Sequence, residues 1–120
     1  MHDATGVLLA QQERYPDAAG EFERAIAEDA NLAPAHFHLG SIYLNQRDWK
    51  QAIEELKKAV DLRPDDAAFV LQLGRALSAD HQDELALSTL RKAVALDRDS
   101  IDAKYALALA VAVPLFTFTN

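Results

Sequence analysis

Residues 33–66 read APAHFHLGSIYLNQRDWKQAIEELKKAVDLRPDD. Leu39, Ile42 and Tyr43 recur at helical spacing on one face, and after a short polar break Ala52, Ile53, Leu56, Ala59 and Val60 do the same. Asp48 and Gln51 have the separation of an N-terminal capping pair, which satisfies N–H groups at the start of the second helix. Pro64 has no N–H to donate and stops that helix. Each helix carries an apolar stripe that it cannot bury alone. The stretch therefore predicts a helical hairpin that requires neighbours.

The neighbours lie at a fixed offset of 34 residues. Gly6 returns as Gly40 and Gly74 and then as Ala108; Ala18 returns as Ala52 and Ala86; Phe22 as Leu56 and Leu90; Ala25 as Ala59 and Ala93. No insertion or deletion is needed, and a period in this range marks a helical solenoid. The pattern predicts seven helices, at about 2–12, 17–29, 34–46, 49–62, 67–79, 83–96 and 101–113. Pro34 suits a first helical turn, and Asp65–Asp66 and Asp99–Ser100 suit caps. Glycine in a helix interior costs up to ~1 kcal/mol relative to alanine. One that recurs at the same position marks a close crossing, where helix axes approach to roughly 8–10 Å.

These residues resemble the tetratricopeptide repeat, over the chain up to about Val113. The family pattern is filled in the second copy by His36, Leu39, Gly40, Tyr43, Ala52, Leu56, Ala59 and Pro64. In the third it is filled by Val70, Leu73, Gly74, Leu77, Ala86, Leu90 and Ala93, with Arg98 in place of the closing proline. The first copy supplies Thr5, Gly6, Leu9, Ala18, Phe22, Ala25 and Ala30. The resemblance implies an all-α, right-handed α-solenoid of antiparallel helix pairs. It implies one domain over residues 1–120, with repeats at about 1–32, 33–66 and 67–100, a partial fourth at 101–113 and a tail at 114–120.

The resemblance also implies a function: a non-catalytic protein–protein interaction module holding a peptide or helix in a concave groove lined by the first helix of each pair. Carried over position by position, the candidate groove residues are Phe37, His38, Ser41, Asn45, Leu71, Gln72, Arg75 and Tyr105, with Asp3, Val7, Leu44, Ser78, Ala79 and Leu109 at further concave positions. The aromatic and aliphatic groups offer apolar contact, and Asn45, Gln72 and Arg75 offer hydrogen bonds to a peptide backbone or an acidic group. Family members that bind the acidic C-termini of heat-shock chaperones use a clamp of Lys, Asn and Arg. The corresponding positions here hold Asp3, Val7, His38, Ala68 and Gln72, so that co-chaperone activity is not expected.

Composition and motifs narrow the alternatives. A net charge of −7 disfavours nucleic acid and anionic membrane surfaces, which need a basic face. With no cysteine there are no disulfides or thiolate sites. His36 and His38 are two apart on a helix and cannot form a metal pair one turn apart. Asp97–Arg98–Asp99 begins like a calcium loop, but Ile101 and Asp102 stand where a ligand and the turn glycine are required. Glu54, Glu55, Lys57 and Lys58 read as a solvated, salt-bridged helix face. No nucleophile-elbow, Walker or dinucleotide-binding motif is present. Neither an enzyme nor a cofactor or metal is expected. The first residues, MHDATGVLLAQQ, lack a signal-peptide pattern, which favours a cytoplasmic location.

The last stretch, IDAKYALALAVAVPLFTFTN, breaks the pattern. From Tyr105 to Val113 every residue is apolar, whereas a terminal solenoid helix should be polar outside. Pro114 is expected to end this helix, and the alternation over 115–119 resembles an edge strand. A truncated chain, a covering second chain and the start of a transmembrane segment would each explain it. The last is disfavoured because the run is shorter than the ~20 residues that cross a bilayer. The alternative function is therefore a self-associating scaffold, a homodimer joined through Leu107, Leu109, Val111 and Val113.

Overall fold

The computed structural model describes residues 6, 7 and 15–119, with side chains through residue 112. Six helices follow one another: α1 Tyr15–Glu28, α2 Ala33–Asn45, α3 Trp49–Leu62, α4 Ala67–Ala79, α5 Asp83–Leu96 and α6 Ile101–Thr119. No strand occurs among the described residues. The helix expected over 2–12 lies outside them, apart from Gly6 and Val7, which are helical. Helices α1 to α5 start and end within two residues of the sequence expectation.

The last helix requires a correction. Instead of stopping at Pro114 and leaving an edge strand, α6 continues to Thr119. Proline deprives the helix of one backbone bond, but an isolated strand with no partner would satisfy none of its ladder groups. Continuing the helix keeps those groups bonded within the segment.

The helix ends are built as the polar residues suggest. Asp48 accepts from the Gln51 backbone N–H at 3.4 Å, and Gln51 Nε2 donates to its other carboxylate oxygen at 2.8 Å. Asp66 accepts from the N–H groups of Ala68 and Phe69 at 3.1 and 3.3 Å, and Ser100 Oγ accepts from Ala103 N–H at 3.1 Å. The turn inside each pair closes with a left-handed residue, Arg47 (φ 64°) after α2 and His81 (φ 62°) after α4. Past each of them the chain folds back, with Asp48 N–H bonding Tyr43 O and Gln82 N–H bonding Leu77 O, both at 2.9 Å. That is a Schellman closure at two equivalent positions.

Packing explains the recurring glycines. A Cβ placed on Gly40 would lie 2.7 Å from Leu56 Cγ, and one on Gly74 would lie 2.5 Å from Leu90 Cδ2. Gly6 stands in the same relation to Phe22, at 2.7 Å from its ring. Phe22, Leu56 and Leu90 are almost wholly buried. Each thus fills the crossing that its glycine opens, sixteen residues earlier.

The pairs then stack. Ala18, Phe22 and Ala25 of α1 pack with Ala35, Leu39 and Ile42 of α2; Ala52, Ile53 and Leu56 of α3 pack with Leu73, Ala76 and Leu77 of α4. Val70 and Ala93 carry the core on to Ala103 of α6. The result is an all-α solenoid of 48 × 29 × 21 Å. Its curvature follows from unequal approach: the backbones of α2 and α4, and of α4 and α6, come within 8 Å of each other at Cα, whereas those of α1 and α3, and of α3 and α5, stay farther apart. The first helices of the pairs therefore lie on the inside of the curve.

One polar contact revises the reading of the solvated face. His36 is 4% exposed. Its Nε2 bonds the Ala30 carbonyl at 2.8 Å and its Nδ1 bonds Glu55 Oε2 at 2.7 Å. Glu55 also lies 3.4 Å from Lys58 Nζ, which is 3.8 Å from Glu54. A buried imidazole leaves costly polar groups unless both nitrogens find partners. Glu55 is consequently drawn inward and does not simply tile the surface.

Candidate functional site: the concave face

Equivalent positions, three on the inner helices and one on the outer helix between them, recur once per repeat step. Shifted by 34 residues, the set Val7, Phe22, His38 and Ser41 becomes Ser41, Leu56, Gln72 and Arg75 and then Arg75, Leu90, Ala106 and Leu109, and the first and third of these sets border hollows. The first hollow is open, about 360 Å³, and also lined by Tyr15, Ile42 and Asn45. The second is about 200 Å³ and also lined by Ser78 and Tyr105. Between them, Gln72 Nε2 donates to Ser41 Oγ at 3.1 Å, and Arg75 Nη1 donates to Gln72 Oε1 at 3.1 Å. The middle set thus forms a hydrogen-bonded row that connects the two hollows.

The electrostatics of this face differ from those of the chain. Of its 19 aspartates and glutamates, none among the described residues lines either hollow, and Arg75 is the cation at the second of them. At the first hollow the His38 ring stacks on Phe22, with ring centroids 5.2 Å apart. Away from the groove, burial and the neighbouring Glu23 carboxylate push the Tyr43 phenol above its ordinary pKa of 10.0. The Tyr43 hydroxyl donates to Glu23 Oε1 at 3.3 Å.

The expected groove residues divide into three groups. His38, Ser41 and Asn45 converge on the first hollow, Arg75 and Tyr105 on the second, and Gln72 joins them. Phe37 and Leu71 line neither hollow. Phe37 is half-buried and stacks on Phe69 at 4.7 Å, with its edge toward His38. It serves the packing of α2 against α4, with the Arg63 guanidinium 5.9 Å from the Phe69 ring. Leu71 packs beside Val70, Ala93 and Ala103 and faces a separate hollow near Asp97, Ser100 and Asp102. Asp3 lies outside the described residues.

Spacing alone did not reveal Phe22, Ile42 and Leu90 as groove lining. For Phe22 and Leu90 the available signal was the glycine register, because each stands behind a crossing glycine and lines the adjacent hollow. On α6, Leu107 is half-buried, Leu109 and Val111 are about half exposed, and the Val113 side chain lies outside the described residues. Among the described residues no cluster of His, Asp or Glu could hold a metal ion, and no helix is long and apolar enough to cross a membrane.

With this geometry in place, the chain can be set beside known proteins. Family models described as tetratricopeptide repeat match residues 4–67 and 44–110. No curated protein matches. Among solved structures, the first tetratricopeptide domain of Spaghetti (RPAP3), bound to the HSP90 peptide SRMEEVD, is similar at a TM-score of 0.91 and 17% identity, over 95% of this chain and 90% of that one. The tetratricopeptide domain of Arabidopsis OM64 is similar at 0.87 and 18%, over 91% and 90%. MamA (41-end) from Desulfovibrio magneticus RS-1 is similar at 0.88 and 27%, over 94% of this chain and 63% of that one.

Proposed function

The chain belongs to the tetratricopeptide-repeat family, and on that premise we propose that it is a non-catalytic protein-interaction module whose concave groove holds a peptide or helix of a partner. The observation that carries this reading is the pair of hollows joined by the Ser41–Gln72–Arg75 row. Two concavities on one face suit side-chain anchors, and a chain of amide, hydroxyl and guanidinium groups suits a ligand backbone. Those groups bond to one another, an arrangement for binding and not for proton transfer. The fold is able to hold a peptide, since the Spaghetti domain is bound to one. The occupant here is of another kind, because the chaperone-clamp positions hold Asp3, Val7, His38, Ala68 and Gln72. Asn45→Arg tests the assignment by filling the first hollow from an exposed position. Peptides captured by the native chain should lose at least tenfold in affinity by calorimetry; unchanged binding sinks it.

A second reading rests on the exposure of α6, where Ile101, Tyr105, Leu109 and Val111 are 81%, 65%, 50% and 48% exposed. Burying such groups against a second copy would contribute about 1.5–3 kcal/mol per large side chain on full burial, enough to drive a homodimer. Leu107 and Val113 belong to the same helix and would join that contact. Light scattering decides it, because a monomer at high micromolar concentration excludes self-association.

A further inference from the structure

The curvature that brings the inner helices together spreads the outer ones, and α1 and α3 stay apart. Between them lies a hollow of about 360 Å³, which shares no lining residue with either groove hollow. Ile26 and Ala30 form one wall and Lys58, Asp61 and Leu62 the other, with the buried His36 ring as the floor. Lys58, Asp61 and Leu62 are three and four residues apart on α3 and so share one face. Both nitrogens of His36 are engaged, by the Ala30 carbonyl and Glu55, so the floor offers ring carbon and not a hydrogen-bonding group. The chemistry is particular to this repeat step. Shifted by 34 residues, Asp61 becomes Ala95, His36 becomes Val70 and Ala30 becomes Pro64.

The potential at this hollow is negative. As equivalent outer helices, α1 and α3 both end here, and neither has a basic residue in its last turn. Two helix C-termini therefore border the hollow with their partial negative charge. Lys58 is a lining cation, but its ammonium is held 3.4 Å from Glu55 and 3.8 Å from Glu54 and brings no net positive charge. Asp61 is exposed and has no partner among the described residues. Beside it Leu62 is 38% exposed, an apolar wall next to an unpaired carboxylate.

We propose that this hollow is a second binding site, for a basic segment of a partner protein. An arginine side chain of that segment lays its methylenes against Ile26, Ala30 and Leu62, and its guanidinium meets the Asp61 carboxylate. Apolar walls with a carboxylate at the rim suit a side chain that buries its stem and keeps its charge at the surface. Arginine fits better than lysine, because its planar fork pairs with a carboxylate through two parallel bonds and is more weakly hydrated. The net charge of −7 draws such a segment in from a distance. The site shares no residue with the groove and stands whether or not a peptide fills the groove.

The test selects short random peptides against the immobilised full chain and sorts the binders on two variants. Asn45→Arg blocks the groove, and Asp61→Asn neutralises the outer hollow. A class of arginine-containing peptides should bind Asn45→Arg as tightly as the native chain and lose roughly tenfold on Asp61→Asn. Replacing the peptide arginine by uncharged citrulline should cost the same, the two losses should not add, and lysine should fall between. Ala30→Trp fills the hollow without touching a charge and should abolish this class while circular dichroism shows an unchanged fold. Glu84→Gln removes one exposed negative charge from α5 and should leave these affinities as they were. Equal losses on Asp61→Asn and Glu84→Gln mean diffuse attraction and overturn the site, as does a selection in which no peptide responds to Asp61→Asn or Ala30→Trp. Peptides sensitive to Asn45→Arg alone overturn this proposal and leave the groove reading standing.

Discussion

Gly74→Ala isolates the packing principle of the fold. In an exposed helix the change would stabilise by about 0.5–1 kcal/mol, because alanine is the better helix former. Here the added methyl would meet Leu90 Cδ2 at 2.5 Å and Cγ at 2.7 Å. Leu90 is 1% exposed, and apart from the small hollow it borders it is enclosed by packed neighbours. Overpacking of this kind costs about 1–3 kcal/mol, and the upper part of that range applies because the branch carbon itself is struck. The net expectation is destabilisation by about 1–2 kcal/mol, read as a lower urea midpoint by circular dichroism at unchanged slope. Leu90→Ala alone should cost about 2–5 kcal/mol through the cavity it leaves. With that side chain gone, Gly74→Ala should change sign and stabilise by about 0.5–1 kcal/mol. Gly20→Ala is the control, since nothing lies within 4 Å of its built Cβ, and it should raise the midpoint. A rise with Gly74→Ala in the native background, or an equal loss with and without Leu90, would refute the crossing argument.

Further expectations come from the turns and the polar contacts. Arg47→Gly and His81→Gly relieve left-handed backbone at φ 64° and 62° and should each raise thermal stability by about 0.5–1 kcal/mol; a lower melting point for either counts against strain there. His36→Ala removes the donor to the Ala30 carbonyl and the partner of Glu55, so a loss of about 2–4 kcal/mol in urea titration is expected, and a loss under 1 kcal/mol contradicts the buried bridge. The Tyr43 phenol keeps its proton in the folded chain to higher pH than in the unfolded one. Its contribution is complete below the unfolded value of 10.0 and is lost as pH rises through the folded value. Stability should therefore fall above about pH 10, and Tyr43→Phe should flatten that fall; an unchanged pH profile in the variant removes Tyr43 as its source.

The sequence was most legible where a physical demand repeats. Glycines at one position, large residues sixteen further on and capping residues at helix starts made the helices and their order readable. Pro114 misled because a local rule was applied to a segment whose alternative, a lone strand, was worse. Positions on the groove were readable as faces of a helix, but occupancy was not. Phe37 and Phe69 lie on neighbouring helices, and nothing local to either says that they stack. Whether Gln72 reaches back to Ser41 depends on side-chain torsions set by the tertiary arrangement. Glu55 looked like one of four charges on a wet surface until the burial of His36 gave it a partner. Tertiary contact decided all three.

The uniform step between repeats has a mechanical consequence. The two groove hollows are separated by two stacked interfaces, so their distance is not fixed by any single bond or helix. A few degrees of rotation at each interface add along the superhelix and lengthen or shorten the gap. A ligand anchored at both ends spans this spring and fixes its extension. Such a ligand would stiffen residues that it does not touch, and a substitution in the buried layer between α3 and α4 would alter its affinity by changing the pitch alone.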